Sequence, residues 1–285
     1  MTQWQTLNAP PAMAGLYARA ALRTRVGPQP QELPATGLRC VLAIDPLRLG
    51  AFRKVCGYDN DGLLPPTYPH VLAFGLQLAL LTDPHFPFPL LGLVQLAERI
   101  RLLRPLGGVD RVSASVHVQN LHPHADGAVF TLVTRLDDAL GPLWEAEADL
   151  LCRKAHVDGQ WAPPPATTEL PADEVTHWLA DKDVGRQYAK VAGDYNPIHL
   201  SLPSARLFGF SQAIAPGMWS LARSLAALRG HLPSAGVQLR AQFLKPVQLP
   251  SEVVLNASVP AERGHFSLTG RDASLHLAGE WAPLG

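Results

Sequence analysis

The sequence predicts an α+β fold built twice from one template, and three observations carry that prediction. First, "DPLRLGAFRKVCGYDN" (45–60) lies without a gap against "DKDVGRQYAKVAGDYN" (181–196). The match pairs Asp45 with Asp181, Lys54 with Lys190, Val55 with Val191, Gly57 with Gly193 and Asn60 with Asn196. Second, each half carries one long apolar helical stretch, "PHVLAFGLQLALL" (69–81) and "GMWSLARSLAALR" (217–229). Third, each helix is followed by alternating or apolar runs separated by Gly, Pro and Asp turns, the pattern of strands. One buried helix before several antiparallel strands implies a sheet wrapped around that helix.

Residues 1–36, rich in Ala and Pro, predict a helix near 11–25 and a loose connector. A strand at 40–44 then meets Asp45, which can cap the next helix, with Pro46 at the favoured first helical position. The apolar helix 69–81 leads into "DPHFPFPLLGL" (83–93), a stretch suited to walls. Among the strands, "IRLLRPLGGVDRVSASVHV" resembles the later "AQFLKPVQLPSEVVLNASV", with Pro105 against Pro246. "AVFTLVTRLDDA" likewise resembles "GHFSLTGRDASL", with Phe130 against Phe266. "APPPATTELPADE" (162–174) reads as the join, giving domains 1–165 and 166–285. The second half restarts with a strand at 175–179 and an Asp able to cap, Asp181.

At 285 residues the chain can fill two domains of ordinary size. Its 24 basic and 24 acidic residues cancel, which argues against nucleic acid or an anionic membrane surface as partner. Hydrophobic content of 47% with 17% charged residues indicates a globular chain with apolar surface to spare for an acyl ligand or a partner. Cys40, Cys56 and Cys152 are odd in number and lack metal-ligand spacing, so free thiols in a reducing compartment are expected. The start shows no basic segment before an apolar core, and "VLAFGLQLALL" is too short to span a bilayer. A cytoplasmic protein is the resulting placement.

The chemistry is expected in "YAKVAGDYNPIHLSLPSARLFGFSQAIAPGM" (188–218). Pro197 removes a backbone donor and pushes Asn196 out of the helical region, so "GDYNP" should break a helix. Asp194 and His199 would then stand on an irregular loop rather than on one helix face. This stretch resembles the signature of the MaoC-like dehydratases and (R)-specific enoyl-CoA hydratases, which have a hotdog fold. Tyr188, Gly193, Asp194, Asn196, Pro197, Ile198, His199 and Ala205 fill the pattern, and "GFSQAIAPGM" continues like the family's lead into its central helix. The likeness is close over about 175–285 and looser over the first half, which resembles the degenerate N-terminal hotdog of two-hotdog dehydratases. Three departures stand out: Ala192 for a usual Ser, Thr, Gly or Cys, Ser201 for a frequent Asp, and Pro216 for a frequent His.

The resemblance implies a double hotdog and a hydro-lyase converting a trans-2-enoyl thioester to the (R)-3-hydroxyacyl thioester. It implies Asp194 and His199 as a catalytic pair on one water. Expelling hydroxide from the β-carbon needs an acid as well as a base, and imidazole exchanges protons near neutral pH. On these grounds either residue can handle the α-proton. Gly217 would offer its N–H to the thioester oxygen at a helix N-terminus, where donors are unpaired and negative charge is favoured. Pro216 and Met218 flank it in the substrate-binding set, and Asn196 orients the loop or the water. The substrate carrier is coenzyme A or acyl carrier protein, with no metal or cofactor required. The alternatives are a hotdog thioesterase, which aims water at the carbonyl, and a noncatalytic acyl-thioester binding protein.

Other polar groups carry blander readings. His117, His122 and His124 are expected at a polar turn between strands, without a carboxylate or thiol set at ligand spacing. Arg99, Arg101 and Arg104 are expected on a solvated strand edge, or against nucleotide phosphates. Trp144, Trp161, Trp178 and Trp281 are expected to pack. One active site per chain follows from the repeat: Tyr58 falls where Asp194 stands, Leu63 where His199 stands, and His70 opposite Gly217. The two halves would pair as a pseudo-dimer, alone or as one partner of a homodimer.

Overall fold

A computed structural model describes residues 2–23, 25–26, 32–162 and 173–285. Most of the expected join (162–174) and the 165/166 boundary lie outside the described residues. Two compact units emerge, and they do not coincide with the two sequence halves. The first comprises Met1–Ile44, Leu72–Glu98 and Val109–Ala166; the second comprises Asp45–Val71, Arg99–Gly108 and Thr167–Gly285. Helices and antiparallel strands mix in both units, an α+β architecture as the sequence predicts.

The first unit holds β1 (Gln3–Leu7), α1 (Met13–Leu22), β2 (Thr36–Ala43), β4 (Arg111–His124), β5 (Gly127–Asp138) and β6 (Gly141–Cys152). Strands β2, β4, β5 and β6 pair antiparallel in that order. Strand β1, which the Ala/Pro-rich composition conceals, adds a parallel partner to β2. The helix α1 falls inside the expected 11–25. Most of α3 (Tyr68–Leu81) belongs here. Its one interior polar residue, Gln77, is buried and donates to Thr134 Oγ1 of β5 at 2.9 Å. That bond explains a glutamine inside an apolar run, because a buried amide needs a partner. After α3, Phe86 and Phe88 bury themselves against Phe130, with ring centroids 5.3 to 5.8 Å apart. Within the "DPHFPFPLLGL" stretch, residues 86–89 are therefore core in this unit, while Pro84, His85 and Gly92 are exposed. His122 and His124 stand at the end of β4, where His124 Nδ1 accepts from Asp126 N and closes the turn.

The second unit begins with α2 (Pro46–Cys56), capped as expected: Asp45 accepts from the N–H groups of Leu47 and Arg48. β3 (Leu93–Leu102) passes from the first unit into this one. There Ile100 and Leu102 are buried while Arg101 is exposed, the period of a strand with one wet face. Then come β7 (Glu174–Ala180), α4 (Val184–Ala192), α5 (Pro197–Leu200), α6 (Leu202–Arg206) and α7 (Gly217–Ala227). β8 (Val237–Phe243), β9 (Ser251–Ala257), β10 (Gly264–Gly270) and β11 (Leu275–Pro283) complete it. Five strands pair antiparallel in the order β8-β11-β10-β9-β7. Buried residues alternate along β8, β9 and β10: Val237, Leu239 and Ala241; Val253, Leu255 and Ala257; Phe266 and Leu268. Trp281 stacks on Phe266 in this layer.

Two expectations need correction. Asp181 does not cap α4; its carboxylate accepts from Asp183 N, and the helix starts two residues later, with Asp183 at the cap position making no capping bond because its carboxylate accepts from Arg186 Nη2 instead. Trp161 does not pack in the core but is partly exposed beside His124, whereas Trp144 and Trp281 are fully buried. Trp178 lies under the Arg223 guanidinium, 4.8 Å from its ring centroid. The three cysteines are free and buried. Among the described residues, no helix is long and apolar enough to cross a membrane.

Candidate active site

Helix α4 sets the geometry of the site. Its inner face buries Tyr188, Ala189, Val191 and Ala192. It ends at Gly193, whose φ of 85° lies in the left-handed region that glycine occupies without steric cost. Gly193 N–H closes the last turn on Ala189 O at 2.8 Å. The chain then reverses through two side-chain turns. Asp194 Oδ1 accepts from Asn196 N at 3.2 Å, and Asn196 Oδ1 accepts from Ile198 N at 3.4 Å. Asn196 thus caps α5, with Pro197 at its first position. The helix break at "GDYNP" is where the sequence places it. His199, however, rides a one-turn helix rather than an irregular loop.

That turn presses closely onto α4. A Cβ on Gly185 would overlap the carbonyl oxygen of His199, so glycine is what lets α5 sit there. His199 is 8% exposed, and its Nδ1 lies 2.8 Å from Ile214 O. A carbonyl only accepts, so Nδ1 carries the hydrogen and the lone pair of the neutral ring is on Nε2. Nε2 faces Asp194 Oδ2 at 3.8 Å, with the aspartate side chain 23% exposed. This separation is too long for a direct hydrogen bond. It suits a water between them: an oxygen at about 2.8 Å from both acceptors would subtend roughly 85° at the water.

The carbonyl that holds His199 lies three residues before Gly217. From Ala213 to Ala222 every residue is buried except Gly217, which is partly open. Pro216 O takes the first helical bond, from Ser220 N at 3.0 Å. Gly217 opens α7, and its N–H has no carbonyl within the helix to meet. A Cβ here would stand 3.0 Å from the Phe243 ring, so the opening depends on glycine. Met218 and Pro216 are buried on either side of it. Of the three departures from the family pattern, Ser201 has a clear use: it caps α6 by accepting from Ser204 N, as an aspartate would.

Two further residues stand near the site: His70, known from sequence only as the repeat counterpart of Gly217, and Arg48, which the sequence does not single out. His70, in the first turn of α3, lies within electrostatic reach of Asp194. Burial pushes its imidazole down to about 4, against the pull of the Asp194 charge, so it is neutral at pH 7. The buried Phe52 ring links that turn to α4, lying 5.2 Å from Tyr68 and 6.2 Å from Tyr188. Arg48 of α2 donates from Nε to Val191 O at 2.7 Å and from Nη2 to Ala192 O at 3.2 Å. That either lies near Asp194 could not be found by local pattern, because both come from segments more than a hundred residues upstream.

Comparison with known proteins agrees with this arrangement. Residues 163–276 match the family described as a MaoC like domain. A 3-hydroxyacyl-thioester dehydratase X from Mycobacterium tuberculosis is 32% identical over 248 residues, spanning 86% of this chain and 88% of that protein. A crystal structure of HtdX from the same organism superposes with a TM-score of 0.75 at 29% identity, over 87% of this chain and 100% of that one. A MaoC-like dehydratase from Phytophthora capsici shares the fold at a TM-score of 0.74 and 18% identity, over 88% and 95% of the two chains. With the "GDYNPIH" loop, the opening at Gly217 and a relative matched along most of its length, the chain belongs to the MaoC-like dehydratase family.

Proposed function

We propose that the chain catalyses the reversible hydration of a trans-2-enoyl thioester to the (R)-3-hydroxyacyl thioester, with Asp194 and His199 as the acid–base pair. The observation that carries this reading is the fixed His199 ring: Nδ1–H bonded to Ile214 O, Nε2 turned to Asp194 Oδ2 across 3.8 Å. One water held in that gap has its oxygen free to attack. As the C3–O bond forms, a water O–H bond breaks and the proton passes to the pair. The pair returns a proton to C2, so one water is added and nothing else is consumed. Charge that builds on the thioester oxygen meets the Gly217 N–H at the α7 N-terminus, a kind of donor worth ~10²–10³ in rate.

The dyad and the Gly217 opening both belong to the second sequence half, which supports one catalytic site per chain and a catalytic region within 166–285. The thiol carrier is coenzyme A or acyl carrier protein. Homologues named for acyl-thioester chemistry and the apolar α7 surroundings favour a thioester over a free acid. The test is the purified protein with crotonyl-CoA. Loss of enoyl absorbance without release of free thiol, yielding only the (R)-3-hydroxy product, is expected. Thiol release would assign a thioesterase, and an (S) product would reject the geometry.

A further inference from the structure

We infer that Arg48 is a positioning residue for the acid–base pair, acting from the first half of the sequence on Asp194. The repeat shows what is unusual here. Val55 and Val191 occupy the same repeat position, one residue from the end of α2 and α4 respectively. Both carbonyls would be left without a helical donor. Each is taken by a side chain from another helix: Trp219 Nε1 donates to Val55 O at 3.0 Å, and Arg48 Nε donates to Val191 O at 2.7 Å. Arg48 also reaches Ala192 O with Nη2, so its planar fork spans the two carbonyls that precede the Gly193–Asp194 reversal. A cation at a helix C-terminus is favoured by the helix dipole as well.

These bonds form one mechanical path. Trp219 stands two residues after Gly217, so α7 is tied to α2, and Arg48 ties α2 to the end of α4. The donor for the thioester oxygen and the carboxylate of the pair are therefore registered against each other through α2. Arg48 touches no reacting atom. It fixes where α4 stops, and hence where Asp194 Oδ2 stands relative to His199 Nε2. A displacement of about 1 Å at such a site can cost ~10²-fold in rate.

This inference rests on the proposed pair, and the experiment separates the two. Crotonyl-CoA hydration is measured for Arg48→Ala, Arg48→Lys, Asp194→Asn and the Arg48→Ala, Asp194→Asn double variant, with exposed Lys54→Met as the control. Arg48→Ala is expected to lose ~10–100-fold in kcat with KM within about 3-fold. Millimolar guanidinium should return several-fold of that loss by refilling the gap, and Arg48→Lys should fall between. In the double variant the arginine loss should vanish, because there is no carboxylate left to position. Near-normal kcat in Arg48→Ala beside an inactive Asp194→Asn overturns the inference alone. So does a folded Arg48→Ala that neither guanidinium nor Lys restores, or a full multiplicative loss in the double variant. Near-normal turnover by Asp194→Asn removes the pair itself, and with it anything for Arg48 to position. Should the alanine variant not fold, Arg48→Lys is read in its place: an unchanged kcat overturns the inference, and a fall of ~3–10-fold at constant KM supports it.

Discussion

The loop after Gly57 and the loop after Gly193 leave matched helix ends and then diverge. Both glycines take a left-handed φ, 77° and 85°, and both N–H groups close on a carbonyl four residues back. After Gly193 come a solvent-reachable carboxylate and an imidazole whose tautomer is fixed by Ile214. After Gly57 come Tyr58, whose phenol is buried and pushed further from ionising by that burial, and Leu63. Asp61, the acid nearest to that leucine, is spent on an ion pair with Arg229. A cavity of about 410 Å³ lies beside this loop, walled by Leu63, Leu64, Leu106 and Leu225. On the proposed function, the same backbone device serves chemistry in one copy and apolar packing in the other. What separates them is an acid facing an imidazole in one copy and a buried phenol followed by a leucine in the other.

The largest test of that contrast exchanges the polar pair on one side and its counterparts on the other. Asp194→Asn and His199→Ala should each lose ~10²–10⁴ of turnover, the usual worth of a positioned acid or base. Tyr58→Phe and Leu63→Ala should leave kcat within about 3-fold, since neither group has a role in proton transfer. Steady-state rates with circular dichroism on the same samples decide it. A Tyr58→Phe variant as slow as Asp194→Asn would end the claim that the first loop is chemically silent.

A smaller effect concerns the helices that lead into the loops. Gly185 in α4 lies under the His199 carbonyl, whereas Gly50 in α2 faces open space. Gly185→Ala must push α5 away, at a cost of about 2–4 kcal/mol by analogy with overpacked interiors, and the displaced His199 should lose activity with it. Gly50→Ala should instead stabilise by about 0.5–1 kcal/mol, because alanine is the better helix former where nothing is in the way. Urea denaturation of both variants measures the pair. Equal stabilities would show that the close approach at Gly185 does not constrain the site.

Much of this was legible because local chemistry and spacing encode it. Pro197 forces the helix break, Asn196 and Asp194 carry the turn-forming oxygens, and the apolar runs at 69–81 and 217–229 announce the two helices. What could not be read is long-range. Nothing near Arg48 hints that its guanidinium ends on carbonyls 143 and 144 residues away. Gly185 reads as an ordinary helix glycine until the return of α5 over it is known. The grouping of 45–71 and 99–108 with the second half in one compact unit is likewise tertiary. The repeat, taken as a sequential duplication, suggests two consecutive blocks instead. The cap at Asp181 failed for a local reason: its carboxylate satisfies Asp183 N, which postpones the helix.

The gentlest test uses the helix starts, where the first half has His70 and the second has Gly217. The His70 imidazole is pushed down to about 4 from an ordinary 6.5, chiefly by burial, with the Asp194 charge opposing. Between those values the unfolded chain binds a proton that the folded chain refuses. Stability therefore rises with pH from about 4 to 6.5 and is lost as the solution is acidified through that window. The ceiling is about 3 kcal/mol, from about 2.5 units at 1.36 kcal/mol each, and residual solvent contact lowers it. His117, also pushed down by burial, adds a slope of the same sign, so the comparison is between variants rather than with zero. His70→Gln should flatten the stability change between pH 7 and pH 5 by about 1–2 kcal/mol, while His117→Gln flattens it without touching turnover. Urea midpoints at the two pH values give the answer. If His70→Gln leaves the acid slope of the wild-type protein unchanged, the imidazole is not held neutral beside Asp194, and the helix start of the first half has no electrostatic bearing on the site in the second.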